Sequence, residues 1–230
     1  MATCCASRCA SAEYFGEAIA ERDLRRYRQK GPDRETRLFL DRLLACRPLG
    51  DALLDVGGGV GVVSFELLAA GVHKATVVEA STASLDAART EADRRGLIDR
   101  MQFLAGDFVS GPEPEDADVV TMHRVVCCYP VYEPLLRKAV QRCGATFALS
   151  FPRNRWFIRW WLGAQNLLRR LMGKSFATFV HDPDSMRAIV REAGFERRDD
   201  AQTMVWTIEV YSRIRRPAGG SSAHALEANV

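Results

Sequence analysis

The sequence predicts an α/β fold in which a mainly parallel sheet carries helices on both faces. Three observations predict it. From residue 52 onward short apolar runs alternate with segments of helical spacing; a glycine-rich turn (Gly57, Gly58, Gly59, Gly61) joins the first run to the first helix; and an acid, Glu79, closes the second run. With 230 residues, 47% of them hydrophobic and 27% charged, the chain has the length and composition of one soluble domain with a substantial core.

The elements follow in order. Residues 13–46 have helical spacing, interrupted at Gly31-Pro32, where a glycine and a ring-locked φ end one helix before another starts. Strands are expected near 52–56, 75–79, 101–105, 117–122 and 145–151, with helices near 61–70, 82–95 and 131–142 between them. Residues 153–173, RNRWFIRWWLGAQNLLRRLMG, form an aromatic and basic helical segment without an acid. Asp182 opens a further helix that Gly194 closes, and two runs near 195–200 and 203–213 complete seven strands as an antiparallel pair. The expected organisation is a helical cap (1–50), a core (51–215) holding a helical insert (152–181), and a disordered Gly/Ser/Ala-rich tail (216–230).

Bulk properties exclude several function classes. A net charge of +3 is too mild to imply nucleic acid, and no basic recognition domain accompanies the core. Seven cysteines, an odd number spread through the chain, argue for a reducing cytoplasm over a disulfide scaffold. The first residues show no apolar h-region of a signal peptide, and no run reaches the length of a transmembrane span. Oligomeric state and protein partners are not readable.

The glycine turn carries the functional signal. A dinucleotide fingerprint needs a third glycine three residues after the second, to bring the helix close to the strand. Here Val62 occupies that place, and the pattern is Gly57-x-Gly59-x-Gly61 preceded by Asp55. A pyrophosphate is disfavoured beside the Asp55 carboxylate, whereas a ligand carrying an ammonium and a sulfonium is favoured. Glu79, twenty residues beyond Gly59, suits a bidentate grip on two ribose hydroxyls.

These residues resemble motif I and the following acidic position of class I S-adenosylmethionine-dependent methyltransferases, and the resemblance extends over about residues 35–213. It implies a Rossmann-like seven-stranded sheet with S-adenosylmethionine as cofactor. Asp55, Gly57, Gly59, Glu79 and Ala80 then line the cofactor. Gly106-Asp107-Phe108 after the third strand matches the position where an acid meets the adenine amino group and an aromatic lines its ring. Residues 116–126, DADVVTMHRVV, match the fourth strand and the loop facing the transferred methyl, placing His123 at both cofactor and acceptor. Tyr27, on the N-terminal helices, is the candidate for the cofactor carboxylate; a solvated basic face with core aromatics is the alternative for that helix.

A narrower group, the magnesium-protoporphyrin methyltransferases and their relatives, is similar in Tyr129-Pro130, in Ser150-Phe151-Pro152 ahead of a helical insert, and in Phe179-Val180-His181. This implies a lid over the substrate and a large planar or apolar acceptor methylated on a carboxylate or hydroxyl. His123, Arg124, Tyr129 and His181 are the catalytic candidates, and Arg153 joins those expected to orient or neutralise an acid. No metal ligand set is assigned. Three readings of the cysteines stay open: Cys127 and Cys128 as small hydrophobes, Cys4, Cys5 and Cys9 as metal-binding thiolates, or both groups around a thiophilic metalloid acceptor. A non-catalytic cofactor- or metal-binding module on the same fold is the rival to an enzyme. The insert suits either a lid over a small-molecule substrate, which its position favours, or a membrane surface.

Overall fold

The computed structural model describes residues 14–214; the readings placed on Cys4, Cys5, Cys9 and the tail 216–230 lie outside them. Two helices, α1 (Glu17–Lys30) and α2 (Arg34–Ala45), precede the sheet. Gly31, at φ 69°, ends α1, and Asp33 caps α2 by accepting the Thr36 N–H at 2.8 Å.

Seven strands form one sheet: β1 (Ala52–Val56), β2 (Lys74–Glu79), β3 (Met101–Ala105), β4 (Ala117–His123), β5 (Cys143–Pro152), β6 (Phe195–Gln202) and β7 (Trp206–Arg213). Their order is β3-β2-β1-β4-β5-β7-β6, parallel except for β7, which is antiparallel to both β5 and β6. Helices α3 (Val62–Ala69), α4 (Thr82–Arg94) and α5 (Glu133–Gln141) make the crossovers, α6 (Trp156–Leu171) follows β5, and α7 (Pro183–Glu192) leads into β6. This is the Rossmann-like methyltransferase fold.

Alternation along the strands divides the core in two. Leu53, Ala75, Val77, Val119 and Ala148 point to one face and pack with α1 to α4. Leu54, Val56, Val78, Val120 and Leu149 point to the other and pack with α5 and α7. The N-terminal helices are therefore part of the core: Phe39 and Leu43 are fully buried, and α1 packs on α4. Helix α6 is mostly exposed, with Ile158 and Leu162 its only buried residues. The strand order reverses between β1 and β4, so their carboxyl ends open a crevice where α/β sheets bind ligands.

Candidate active site

The crevice holds a cavity of about 540 Å³. Its floor is the β1 glycine turn. Gly57, Gly59 and Gly61 all have positive φ (66°, 56° and 84°), and the Gly57 N–H donates to the Val78 carbonyl at 2.7 Å, tying the turn to β2. Two of these glycines differ in why they are glycine. A Cβ on Gly57 would lie 2.5 Å from Val125 Cγ2, a packing demand, whereas a Cβ on Gly59 would meet no protein atom within 4 Å and would project into open space.

Glu79 closes that cradle. Its carboxylate accepts the Gly59 N–H and the Ser81 N–H, each at 2.9 Å, and borders the cavity. Burial pushes its pKa up, against the pull of these N–H donors. Ala80, Gly106 and Phe108 line the same end. Asp107, between the last two, is engaged: Oδ1 accepts the Tyr129 hydroxyl at 2.5 Å and Oδ2 accepts the Ser110 hydroxyl at 2.6 Å.

Asp55 lies behind the turn. It is 1% exposed and accepts the Thr121 hydroxyl at 2.7 Å and the Ser64 hydroxyl at 2.9 Å. Burial pushes its pKa up to about 6, against these two hydrogen bonds. It borders a neighbouring cavity of about 330 Å³ that shares Gly57, Gly59 and His123 with the larger one. Tyr27 borders this smaller cavity too, with its hydroxyl donating to Glu66 at 2.7 Å and its ring stacked on Phe65. The hydroxyl thus already has a carboxylate partner.

His123 and Arg124 enter the cavity from the end of β4. The His123 ring lies 3.1 Å from the Thr36 hydroxyl at Nε2 and 2.9 Å from the Ser150 hydroxyl at Nδ1, and packs on Phe39. Burial, then the Arg124 charge, brings its pKa down to about 3, so the imidazole is neutral. Arg124 adopts φ 62° and forms a two-pronged pair with Asp33, 3.0 Å on each prong.

Cys127 and Cys128 border the cavity, and contact with Cys127, followed by burial, keeps the Cys128 thiol protonated. Among the described residues no cluster of His, Cys, Asp or Glu is arranged to hold a metal ion. His181 does not line the cavity. Its Nε2 donates to the Val126 carbonyl at 3.1 Å and its ring packs on Tyr132, which fastens the 179–181 segment to the loop after β4. Arg153 is likewise engaged, donating to the Thr203 carbonyl at 3.0 Å.

The remaining wall comes from the N-terminal segment, the insert expected as a lid, and two residues not singled out in the sequence, Phe176 and Trp206. Tyr14 stacks on Phe176 with ring centres 4.5 Å apart, and Arg169 lies over both rings. Phe15 is held by the Ser81 hydroxyl, which donates to its carbonyl at 2.5 Å. Trp206, from β7, and Trp161 and Gln165, from α6, complete it.

Residues 53–146 match the family model described as a methyltransferase domain. Residues 53–146 carry a methyltransferase domain. A domain of this kind takes S-adenosylmethionine as its methyl donor. Residues outside 53–146 follow the same fold in solved structures. Magnesium protoporphyrin IX methyltransferase from Synechocystis PCC 6803, with bound S-adenosylhomocysteine, is 18% identical and superposes with a TM-score of 0.70 over 90% of this chain and all of that one. Its S-adenosylmethionine complex gives 0.68, over 90% of this chain and 97% of that one, at 18% identity. An O-methyltransferase family 2 protein from Planctomyces limnophilus DSM 3776, in complex with apigenin, is 16% identical with a TM-score of 0.60, covering 85% of this chain and 62% of that one.

The methyltransferase site fits that donor on its own geometry. The open cradle at Gly59 and the Glu79 carboxylate beside it suit a ribose diol, and Phe108 offers an apolar surface for the adenine.

Proposed function

We propose that the protein transfers a methyl group from S-adenosylmethionine to a carboxylate of a large apolar small molecule. Glu79 and the Gly57–Gly59 turn hold the donor's ribose, Phe108 its adenine, and Asp55 and the smaller cavity its amino acid end. Bound, the donor supplies an electrophilic methyl on sulfur, so the protein's task is to place a nucleophile in line with it and exclude water.

The observation that carries the acceptor class is that the cavity's own candidate bases are already engaged: both His123 ring nitrogens face hydroxyls and the Tyr129 hydroxyl donates to Asp107. A neutral acceptor hydroxyl must lose its proton, which calls for a base with a pKa near the working pH. His123 is neutral with a pKa of about 3, too weak a base, and both ring nitrogens face hydroxyls. Burial, followed by contact with Asp107, pushes the Tyr129 hydroxyl far above its usual range, and the Cys128 thiol is likewise held up. A carboxylate needs no base because it is ionised at neutral pH. Arg169 and Arg124 border the cavity and offer it positive charge, while Trp161, Phe176 and Trp206 supply flat apolar walls.

Labelled S-adenosylmethionine incubated with a panel of large aromatic acids led by magnesium protoporphyrin tests this reading, with S-adenosylhomocysteine release and base-lability of the label as readouts. A base-labile ester is expected, with a transfer rate that stays flat from pH 8 to 7, above the Asp55 pKa of about 6. Label fixed in a base-stable ether or amine would overturn the carboxylate assignment.

A further inference from the structure

Helix α6 faces two ways. Trp161, Leu162, Gln165 and Arg169 wall the cavity. On the far side Trp156, Trp160 and Leu171 are 80%, 73% and 76% exposed, and with Leu167 they fall within an arc of about 60° at helical spacing. Phe157 and Leu168 widen the apolar face. Of the eleven large hydrophobic side chains that stand exposed among the described residues, eight lie between Trp156 and Met172. Such clustering on one helix marks an interaction surface, unlike apolar residues scattered singly.

The charge on this segment has one sign. Residues 153–181 contain Arg153, Arg155, Arg159, Arg169, Arg170 and Lys174 and no acidic residue. Arg155, Arg159, Arg170 and Lys174 are exposed, the first three on one flank of the apolar arc and Lys174 just beyond the helix end. The helix has 16 residues, a length of about 24 Å, and among the described residues no helix is long and apolar enough to cross a membrane. A helix of this kind lies in the plane of an interface, its tryptophans at headgroup level and its arginines on the phosphates.

We propose that the outer face of α6 docks on an anionic membrane surface. A second copy of the chain is the weaker occupant, because two such faces packed about a twofold axis would set arginine against arginine with no acid to offset them. Anionic headgroups supply the missing charge. Since the same helix walls the cavity, docking brings the acceptor end of the site to the membrane surface. The proposal does not depend on methyl transfer.

Flotation of the full chain with vesicles tests it. The protein should float with vesicles of equal parts phosphatidylglycerol and phosphatidylcholine, float poorly with phosphatidylcholine alone, and be released by salt. The double variant Trp156→Ser/Trp160→Ser should stay at the bottom of the gradient while its circular dichroism and S-adenosylhomocysteine binding match the parent. Arg159→Gln/Arg170→Gln should weaken partition to the anionic vesicles about 30-fold. Absence of flotation with both vesicles, or flotation of the tryptophan variant equal to the parent's, would overturn the proposal. So would a dimer in sedimentation that the tryptophan variant dissociates, which would name a second copy as the occupant.

Discussion

Asp33 and Arg124 stand 91 residues apart and meet through two hydrogen bonds of 3.0 Å each. The same Asp33 carboxylate caps α2 through Thr36, so one side chain fixes both the helix start and the loop after β4. Burial alone would raise its pKa, but the Arg124 guanidinium and the Thr36 N–H outweigh it and hold the carboxyl well below its ordinary range. A double-mutant cycle with Asp33→Asn and Arg124→Gln should show a coupling of about 1–2 kcal/mol in urea unfolding, since the pair is only partly exposed. Additive effects of the two substitutions would mean that the loop holds its place without the pair.

Glu79→Ala should weaken S-adenosylhomocysteine binding about 100-fold by titration calorimetry, the loss of two charge-assisted hydrogen bonds. Glu79→Gln, which keeps one acceptor oxygen, should fall between. An unchanged affinity in Glu79→Ala would remove the ribose role and with it the registration of the donor.

Gly57→Ala and Gly59→Ala should separate packing from binding. At Gly57 the new methyl meets Val125, and a loss of about 2 kcal/mol or more in stability is expected. At Gly59 the methyl enters open space and only the positive φ is strained, at about 1 kcal/mol. Gly59→Ala should nevertheless lose tenfold or more in S-adenosylhomocysteine affinity, by about the cost of overpacking an occupied cradle. Equal affinity of Gly59→Ala and the parent would place the ligand elsewhere.

His123 gives a pH signature. The unfolded chain takes up a proton on this residue near its ordinary pKa of 6.5, whereas the folded one waits until about 3. Its contribution to stability is therefore intact above about pH 6.5 and is lost progressively as pH falls toward 3. Unfolding free energies measured between pH 7 and 4.5 should fall less steeply in His123→Gln than in the parent, by up to about 1.4 kcal/mol per pH unit. Parallel slopes would show that His123 titrates normally in the fold.

The local features of this fold were legible because they repeat at short range. Strand and helix spacing, the glycine turn and the acid at the end of β2 are written within a few tens of residues. The structure places Gly57, Gly59, Glu79 and Phe108 around one cavity. His181 was less legible: Phe179-Val180-His181 suggested an acceptor contact, but the Phe179 N–H bonds the Cys127 carbonyl and the imidazole bonds that of Val126, so the segment is a fastening. Nothing in the local text distinguishes a histidine facing a cavity from one facing a backbone carbonyl.

The sequence by itself determined the alternation of elements, the glycine turn after β1 and the single-sign charge of residues 153–181, since each rests on residue type and spacing. Only the tertiary structure decided that Thr36 would meet His123, that Tyr129 would engage Asp107, and that Tyr14 and Phe176 would stack across the chain. It also decided that Trp156 and Trp160 face outward while Leu162 faces in. Those outcomes depend on how distant segments close on one another around the sheet, and a hydrogen bond or ring contact between them exists only once packing has fixed both partners.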